Sequence, residues 1–109
     1  MKKIALITGA TSGIGKACAR KFAQGGYDVI ITGRRAKLLA DLKKELEAEN
    51  VRVLALAFDV RNRNAATAAI NSLPLEWQQI DVLINNAGLA LGLEPEYEGS
   101  FDDWDTMID

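Results

Sequence analysis

Short apolar runs alternate along the chain with longer segments in which apolar residues recur at helical spacing. The short runs predict strands at residues 4–8, 27–32, 51–58 and 82–85. The longer segments predict helices at residues 14–23, 36–49 and 64–73, with a further helix starting at Ser100. Strands that alternate with helices are typical of a parallel sheet with helical crossover connections.

Two of the predicted helices carry an apolar face that would pack on the sheet. In the first, Ile14, Cys18 and Phe22 recur every four positions, and Gly25-Gly26 ends the helix. We therefore predict that this face packs on the sheet and that Cys18 is buried. In the second helix, the corresponding face is made of the leucines at positions 38, 39, 42 and 46.

These elements predict an α/β fold of the Rossmann type, a doubly wound parallel sheet with about four strands in the order 3-2-1-4. The 109 residues form a single domain, residues 1–109. The fourth strand would lie at an edge, although its residues 82–84 are all apolar. We interpret that edge as a sign of a fold truncated relative to its full form, or of pairing with something else; a tolerated bare edge is the alternative.

Composition excludes several classes of function. The chain has 13 Lys and Arg residues against 15 Asp and Glu, no histidine and one cysteine. This balance favours neither a nucleic-acid nor a membrane partner, and it leaves no disulfide framework, His-ligated metal or imidazole-based triad. No apolar run approaches the roughly 20 residues of a membrane helix. We expect a cytoplasmic protein without a metal site.

A glycine-rich turn joins the first predicted strand to the first helix. Its glycines are spaced by four and two residues, whereas the common dinucleotide fingerprint has spacings of two and three. Glycines here allow a tight turn, a close approach of phosphate to the backbone, and close packing of the helix on the sheet. Free N–H groups at the helix start would hold a diphosphate. The candidate binding residues are Gly9, Thr11, Ser12, Gly13, Ile14 and Gly15. The alternative is a turn that binds nothing.

The end of the second strand indicates which dinucleotide is bound. About 20 residues beyond the glycines, an NAD site needs a carboxylate for the ribose 2′-hydroxyl. This chain has Thr32-Gly33-Arg34-Arg35 there, with no acid. Two guanidinium groups can hold a 2′-phosphate, so the pattern predicts NADP(H). Alternatively, Arg34 and Arg35 simply open a solvated helix, although cations at a helix N-terminus oppose its dipole.

Two segments resemble the signatures of the short-chain dehydrogenase/reductase family. They are TGATSGIG at residues 8–15 and NNAG at residues 85–88. The resemblance implies that Asp59 accepts a hydrogen bond from the adenine amino group and that Val60 is its backbone neighbour on the ring. It also implies that Asn86, Ala87 and Gly88 run along the adenosine ribose. From spacing alone, Asp59 would be a turn former and the asparagines a polar loop.

Further stretches are similar to one NADP-dependent branch of that family, which acts on serine, allo-threonine and small 3-hydroxy acids. They are residues 59–63 (DVRNR) and 86–92 (NAGLALG). The resemblance implies an oxidoreductase that transfers hydride between a nicotinamide and a small alcohol or carbonyl substrate. It also implies a homotetramer.

The family's proton-transfer pair, Tyr-x-x-x-Lys, is absent from the sequence. Four residues after Tyr27 and Tyr97 stand Ile31 and Phe101. We therefore predict no catalytic residue in the chain and no turnover by the chain alone. A stand-alone, non-catalytic NADP(H)-binding module is the alternative function.

Overall fold

The computed structural model describes residues 2–59 and 62–86. Within these ranges, four strands alternate with three helices and one single-turn 3-10 helix at Leu75–Trp77. The strands are β1 (Ile4–Thr8), β2 (Asp28–Gly33), β3 (Val53–Ala57) and β4 (Val82–Asn85). The helices are α1 (Gly13–Gln24), α2 (Ala36–Glu47) and α3 (Arg63–Asn71). The predicted helix at Ser100 lies outside the described residues.

All four strands are parallel, and their order is β3-β2-β1-β4. The predicted α/β class and strand order are therefore confirmed. Because the order reverses after β3, the carboxyl ends of β1 and β4 meet beside the start of α1. An open α/β sheet binds its ligands at such a switch point.

The sheet is buried on both faces. One face packs against α1 and α2, and the other lies against α3, Trp77 and Ile80. Strands β1 and β2 are buried along their whole length, which explains why they read as continuous apolar runs rather than as alternating patterns. None of the helices in the described part of the chain combines the length and the hydrophobicity needed to cross a bilayer.

Helix α1 corrects one prediction about burial. Ile14 is 72% exposed, and Cys18 and Phe22 are only partly buried. The residues that face the sheet are instead Gly15, Ala19 and Ala23, one position further along. Gly15 has no room for a side chain because the start of α1 lies in close contact with the glycine turn.

Helix α2 has the predicted buried face of Leu39, Leu42 and Leu46, whereas Leu38 is 40% exposed. Its regular part ends at Glu47, two residues earlier than predicted. The chain then turns at Asn50, whose φ of 63° lies in the left-handed region that asparagine tolerates better than most residues.

A buried carboxylate closes the amino end of the sheet. Asp28, 2% exposed, accepts hydrogen bonds from the backbone N–H of Arg52 at 2.8 Å and from its Nε at 3.0 Å. The Arg52 guanidinium also lies 4.8 Å from the centre of the Trp77 ring. Trp77 is itself buried. One ion pair thus joins the starts of β2 and β3 to the segment that leads into β4.

We expect Asp28→Ala to lower the free energy of unfolding by about 2–3 kcal/mol, because it leaves the backbone N–H and guanidinium of Arg52 without their acceptor. Urea denaturation monitored by circular dichroism measures the change. Asp41→Ala, on the exposed face of α2, is the matched control and should shift stability by no more than about 0.5 kcal/mol. Equal effects of the two substitutions would contradict this account.

Candidate functional site

The glycine turn is organised around the carbonyl oxygen of Gly9. Gly9 has a φ of 60°, which a glycine adopts without strain. Its oxygen accepts hydrogen bonds from the Ser12 backbone N–H at 3.2 Å, the Ser12 hydroxyl at 2.9 Å and the Asn86 side-chain amide at 3.1 Å. The turn is therefore held from within and from β4.

Gly13 and Gly15 differ in the space that surrounds them. A Cβ added to Gly15 would lie 2.1 Å from the Gly9 oxygen, so only glycine allows α1 to start this close to the turn. A Cβ added to Gly13 would meet no atom within 4 Å. The backbone of Gly13 thus borders open space, and Gly13, unlike Gly15, is not demanded by packing within the described part of the chain.

The N-terminus of α1 has neither a side-chain cap nor a negative charge. Ser12, at the N-cap position, makes no capping hydrogen bond, and the first turn holds no acidic residue. The N–H groups of Gly13, Ile14 and Gly15 precede the first helical bond, which runs from Lys16 N to Ser12 O at 2.8 Å. Within residues 2–59 and 62–86 these N–H groups have no backbone partner, and together with the positive end of the helix dipole they favour an anion beside Gly13.

Asn86 holds this turn against the end of β4. Besides the Gly9 oxygen, its side-chain amide donates to the Ser12 hydroxyl at 2.7 Å. The adjacent Asn85 accepts a hydrogen bond from the Thr8 hydroxyl at 3.1 Å. The local sequence pattern does not indicate this bridging role of Asn86. The strand order could have indicated it, because this order places the end of β4 beside the end of β1.

The carboxyl end of β2 lies on the other side of the turn. The Ala10 N–H donates to the Thr32 carbonyl at 2.9 Å, which ties the two segments together. Arg34 and Arg35 follow β2 and are exposed, and Arg35 is the N-cap of α2 without a capping hydrogen bond. Neither arginine forms an ion pair within residues 2–59 and 62–86. Two cations therefore stand at an α2 N-terminus whose first turn has no acid.

Thr11, a candidate binding residue of the glycine turn, also faces the end of β2. It is partly buried and lies against Gly33, the last residue of β2. The Thr11 Oγ1 is 3.3 Å from the position that a Cβ on Gly33 would occupy.

The remaining predicted residues follow β3 and β4. Asp59 is partly buried, and its carbonyl accepts the Asn62 N–H at 2.9 Å. Asn62 in turn caps α3 by accepting the Ala65 N–H at 3.1 Å. Val60, Ala87 and Gly88 lie outside the described residues. Because Asp59 follows the carboxyl end of β3, it lies at the same edge of the parallel sheet as the glycine turn.

The two helices that start at the site are joined by an ion pair at some distance from it. Arg20 of α1 and Glu45 of α2 form a bidentate contact, with Nη2 and Oε1 3.0 Å apart. The hydrogen bond from Arg20 lowers the pKa of the Glu45 carboxyl below its ordinary value, and the charges of Arg20 and Lys16 act in the same direction. Both side chains are about half exposed, so solvent screens the pair.

The chain belongs to the short-chain dehydrogenase family, whose model matches residues 3–109. It is 56% identical over 106 residues to the NADP-dependent 3-hydroxy acid dehydrogenase YdfG of Salmonella typhi, an alignment that covers 97% of this chain and 42% of that enzyme. It is 47% identical over 109 residues to sulfoacetaldehyde reductase 2 of Chromohalobacter salexigens, covering 100% of this chain and 43% of that protein.

Solved structures agree with this assignment. Serine dehydrogenase from Escherichia coli superposes with a TM-score of 0.71 at 50% sequence identity, covering 96% of this chain and 47% of that one. The chain therefore spans less than half the length of the relatives that it matches.

The different roles of the two glycines can be tested in the protein without ligand. We expect Gly15→Ala to destabilise the fold by about 3 kcal/mol, because its Cβ would overlap the Gly9 carbonyl. The matched substitution Gly13→Ala should change stability by no more than about 1 kcal/mol, and in the favourable direction. Thermal unfolding of the two variants measures both effects. Comparable losses would contradict the assigned geometry.

Proposed function

We propose that this chain is the NADP(H)-binding part of a short-chain oxidoreductase. The observation that carries the proposal is the uncapped, acid-free N-terminus of α1. It faces the glycine turn, next to a β2 end that carries two cations and no carboxylate. The residues present fit a dinucleotide in both shape and charge.

The diphosphate would lie in the open space beside Gly13. The backbone N–H groups of Gly13, Ile14 and Gly15 supply donors, and the Gly13 backbone allows an oxygen to come close because no Cβ is in the way. The Ser12 hydroxyl already donates to Gly9 and accepts from Asn86. We therefore assign Ser12 first to shaping the turn and only second to contacting phosphate.

The adenosine 2′-phosphate would lie against Arg34 and Arg35. Both guanidinium groups are exposed, and planar guanidinium groups bind phosphate through paired, charge-assisted hydrogen bonds. A bound phosphate would also relieve the unfavourable position of two cations at the start of α2. The name of the Salmonella relative, an NADP-dependent enzyme, supports this assignment.

The family resemblance supports further assignments around the adenosine. We propose that Asp59 accepts a hydrogen bond from the adenine amino group and that Val60 contacts the ring through its backbone. Asn86, Ala87 and Gly88 would run along the adenosine ribose. For Asn86 this means its backbone, since its side-chain amide is engaged by Gly9 and Ser12.

The reaction of the whole enzyme is proposed from its relatives. The bound nicotinamide would supply hydride chemistry, and the substrate would be a small alcohol or carbonyl compound. The names 3-hydroxy acid dehydrogenase and serine dehydrogenase favour a 3-hydroxy acid such as serine or allo-threonine. The relative that reduces sulfoacetaldehyde shows that near relatives differ in substrate. The family resemblance also supports a cytoplasmic homotetramer.

Dinucleotide titration tests the 2′-phosphate assignment. We expect this chain to bind NADPH more tightly than NADH, and we expect Arg34→Ala with Arg35→Ala to weaken NADPH binding at least about tenfold, which is about 1.4 kcal/mol. Binding of NADH should change little. NADPH fluorescence measures the affinities, and Lys44→Ala, in the last turn of α2, is the control. Equal loss for both dinucleotides would contradict the role of the arginines.

A non-catalytic NADP(H)-binding module is the second candidate. It is favoured by the absence of Tyr-x-x-x-Lys from the sequence. Both candidates predict that this chain binds NADPH and shows no serine-dependent reduction of NADP⁺, so turnover by the purified chain would contradict both. The intact mass of the protein in its source cell separates them. A mass near 11.8 kDa supports the module, and at least about twice that mass supports the longer enzyme expected from relatives of this family.

A further inference from the structure

We infer that Thr11 is a specificity-determining residue of this site, because its side chain fills the space that a carboxylate at position 33 would need. The inference rests on the proposed binding of NADP(H) and deepens it. Arg34 and Arg35 explain why a 2′-phosphate is attracted. The contact between Thr11 and Gly33 explains why the alternative recognition group, a carboxylate for an unphosphorylated ribose, is excluded.

Position 33 is where such a carboxylate would stand. It is the last residue of β2 and lies 20 residues after Gly13, at the distance expected for the acid that binds a ribose 2′-hydroxyl. The backbone does not require glycine here. Positive φ angles at glycines are found at Gly9 and Gly26 within the described ranges, and Gly33 is not among them. A side chain at position 33 is therefore disfavoured by steric contact with neighbouring side chains and not by the backbone conformation.

The opposing neighbour is Thr11. A Cβ at position 33 would lie 3.3 Å from Thr11 Oγ1, closer than most Cβ contacts in proteins, and 3.4 Å from Thr11 Cγ2, at the lower limit of ordinary van der Waals contact. The next neighbour, Leu39 Cδ2, is at 3.5 Å, an ordinary van der Waals distance. Both branches of the threonine side chain thus face position 33.

Neither backbone is free to move apart. The residue before Thr11 is anchored, because Ala10 N–H donates to Thr32 O at 2.9 Å. Gly33 is anchored in the opposite direction, because its carbonyl accepts the Phe58 N–H at 2.8 Å. Any relief of the contact must therefore come from the Thr11 side chain.

Rotating the Thr11 side chain cannot remove its contact with a Cβ at position 33 completely. A threonine fills two of the three staggered positions around its Cα–Cβ bond, and both filled positions now face Gly33. Each of the other two rotamers keeps one of these positions filled. A serine fills only one position and has a rotamer that vacates both. A valine has the same branched shape as threonine and has no such rotamer.

This difference gives a matched experiment. Gly33→Asp is combined with Thr11→Ser or with Thr11→Val, and the dissociation constants of NADH and NADPH are measured for each protein by fluorescence titration. We expect Gly33→Asp alone to bind NADH no better than the parent chain. With Thr11→Ser, NADH binding should strengthen about tenfold relative to Gly33→Asp, whereas with Thr11→Val it should not.

A second series tests the contact without any dinucleotide. Gly33→Ala adds only the Cβ, and we expect its melting temperature to fall by about 4 °C or more. Thr11→Ser should restore most of this loss and Thr11→Val should not. This series keeps the inference testable even if the aspartate variants fold poorly.

The outcomes separate the inference from the proposed function. If the parent chain binds neither dinucleotide, the proposed function fails. The melting temperatures still decide whether Thr11 sterically opposes a side chain at position 33. If the parent binds NADPH but Gly33→Asp alone gains NADH binding, or serine and valine at position 11 behave alike, the inference is wrong and the proposed function stands.

Discussion

The site depends on the carbonyl of Gly9, on which Ser12, Asn86 and the start of α1 converge. Ser12 and Asn86 donate hydrogen bonds to it, and the start of α1 lies so close that a methyl group at Gly15 would overlap it. This contact sets the distance between the first helix and the sheet. It also fixes the direction in which the helix N-terminus points, because three segments converge on one backbone atom.

Two unsatisfied electrostatic features of the chain are explained by this geometry. The N-terminus of α1 offers N–H groups without a cap or an acid, and the N-terminus of α2 carries arginines where a negative group would be favourable. Each feature alone would destabilise its helix slightly. Both lie at the carboxyl edge of the same sheet, where one ligand with several phosphate groups can satisfy them together.

The sequence predicted the class of fold, the four strands and their order, because strands buried on both faces are continuous apolar runs between glycine turns. Its prediction for α1 was wrong at Ile14, which is exposed, whereas Cys18 and Phe22 pack against the core beside the fully buried Ala19 and Ala23. The assignments at Val60, Ala87 and Gly88 stay predictions. The roles of Asn86 and Thr11 depend on contacts between segments far apart in the chain. Asn86 and Ser12, for example, are 74 residues apart, and periodicity carries no information at that range.

Strand β2 places two kinds of chemistry at its opposite ends. Asp28 begins it with a buried carboxylate paired to the half-exposed Arg52, and Gly33 ends it beside Thr11. At about 3.3 Å per residue, the two positions are roughly 16 Å apart. Substitutions at the two ends share no contact partner and are too far apart to touch, so their effects on the free energy of unfolding should add. The strand can therefore accept a change at one end without altering the contacts made at the other.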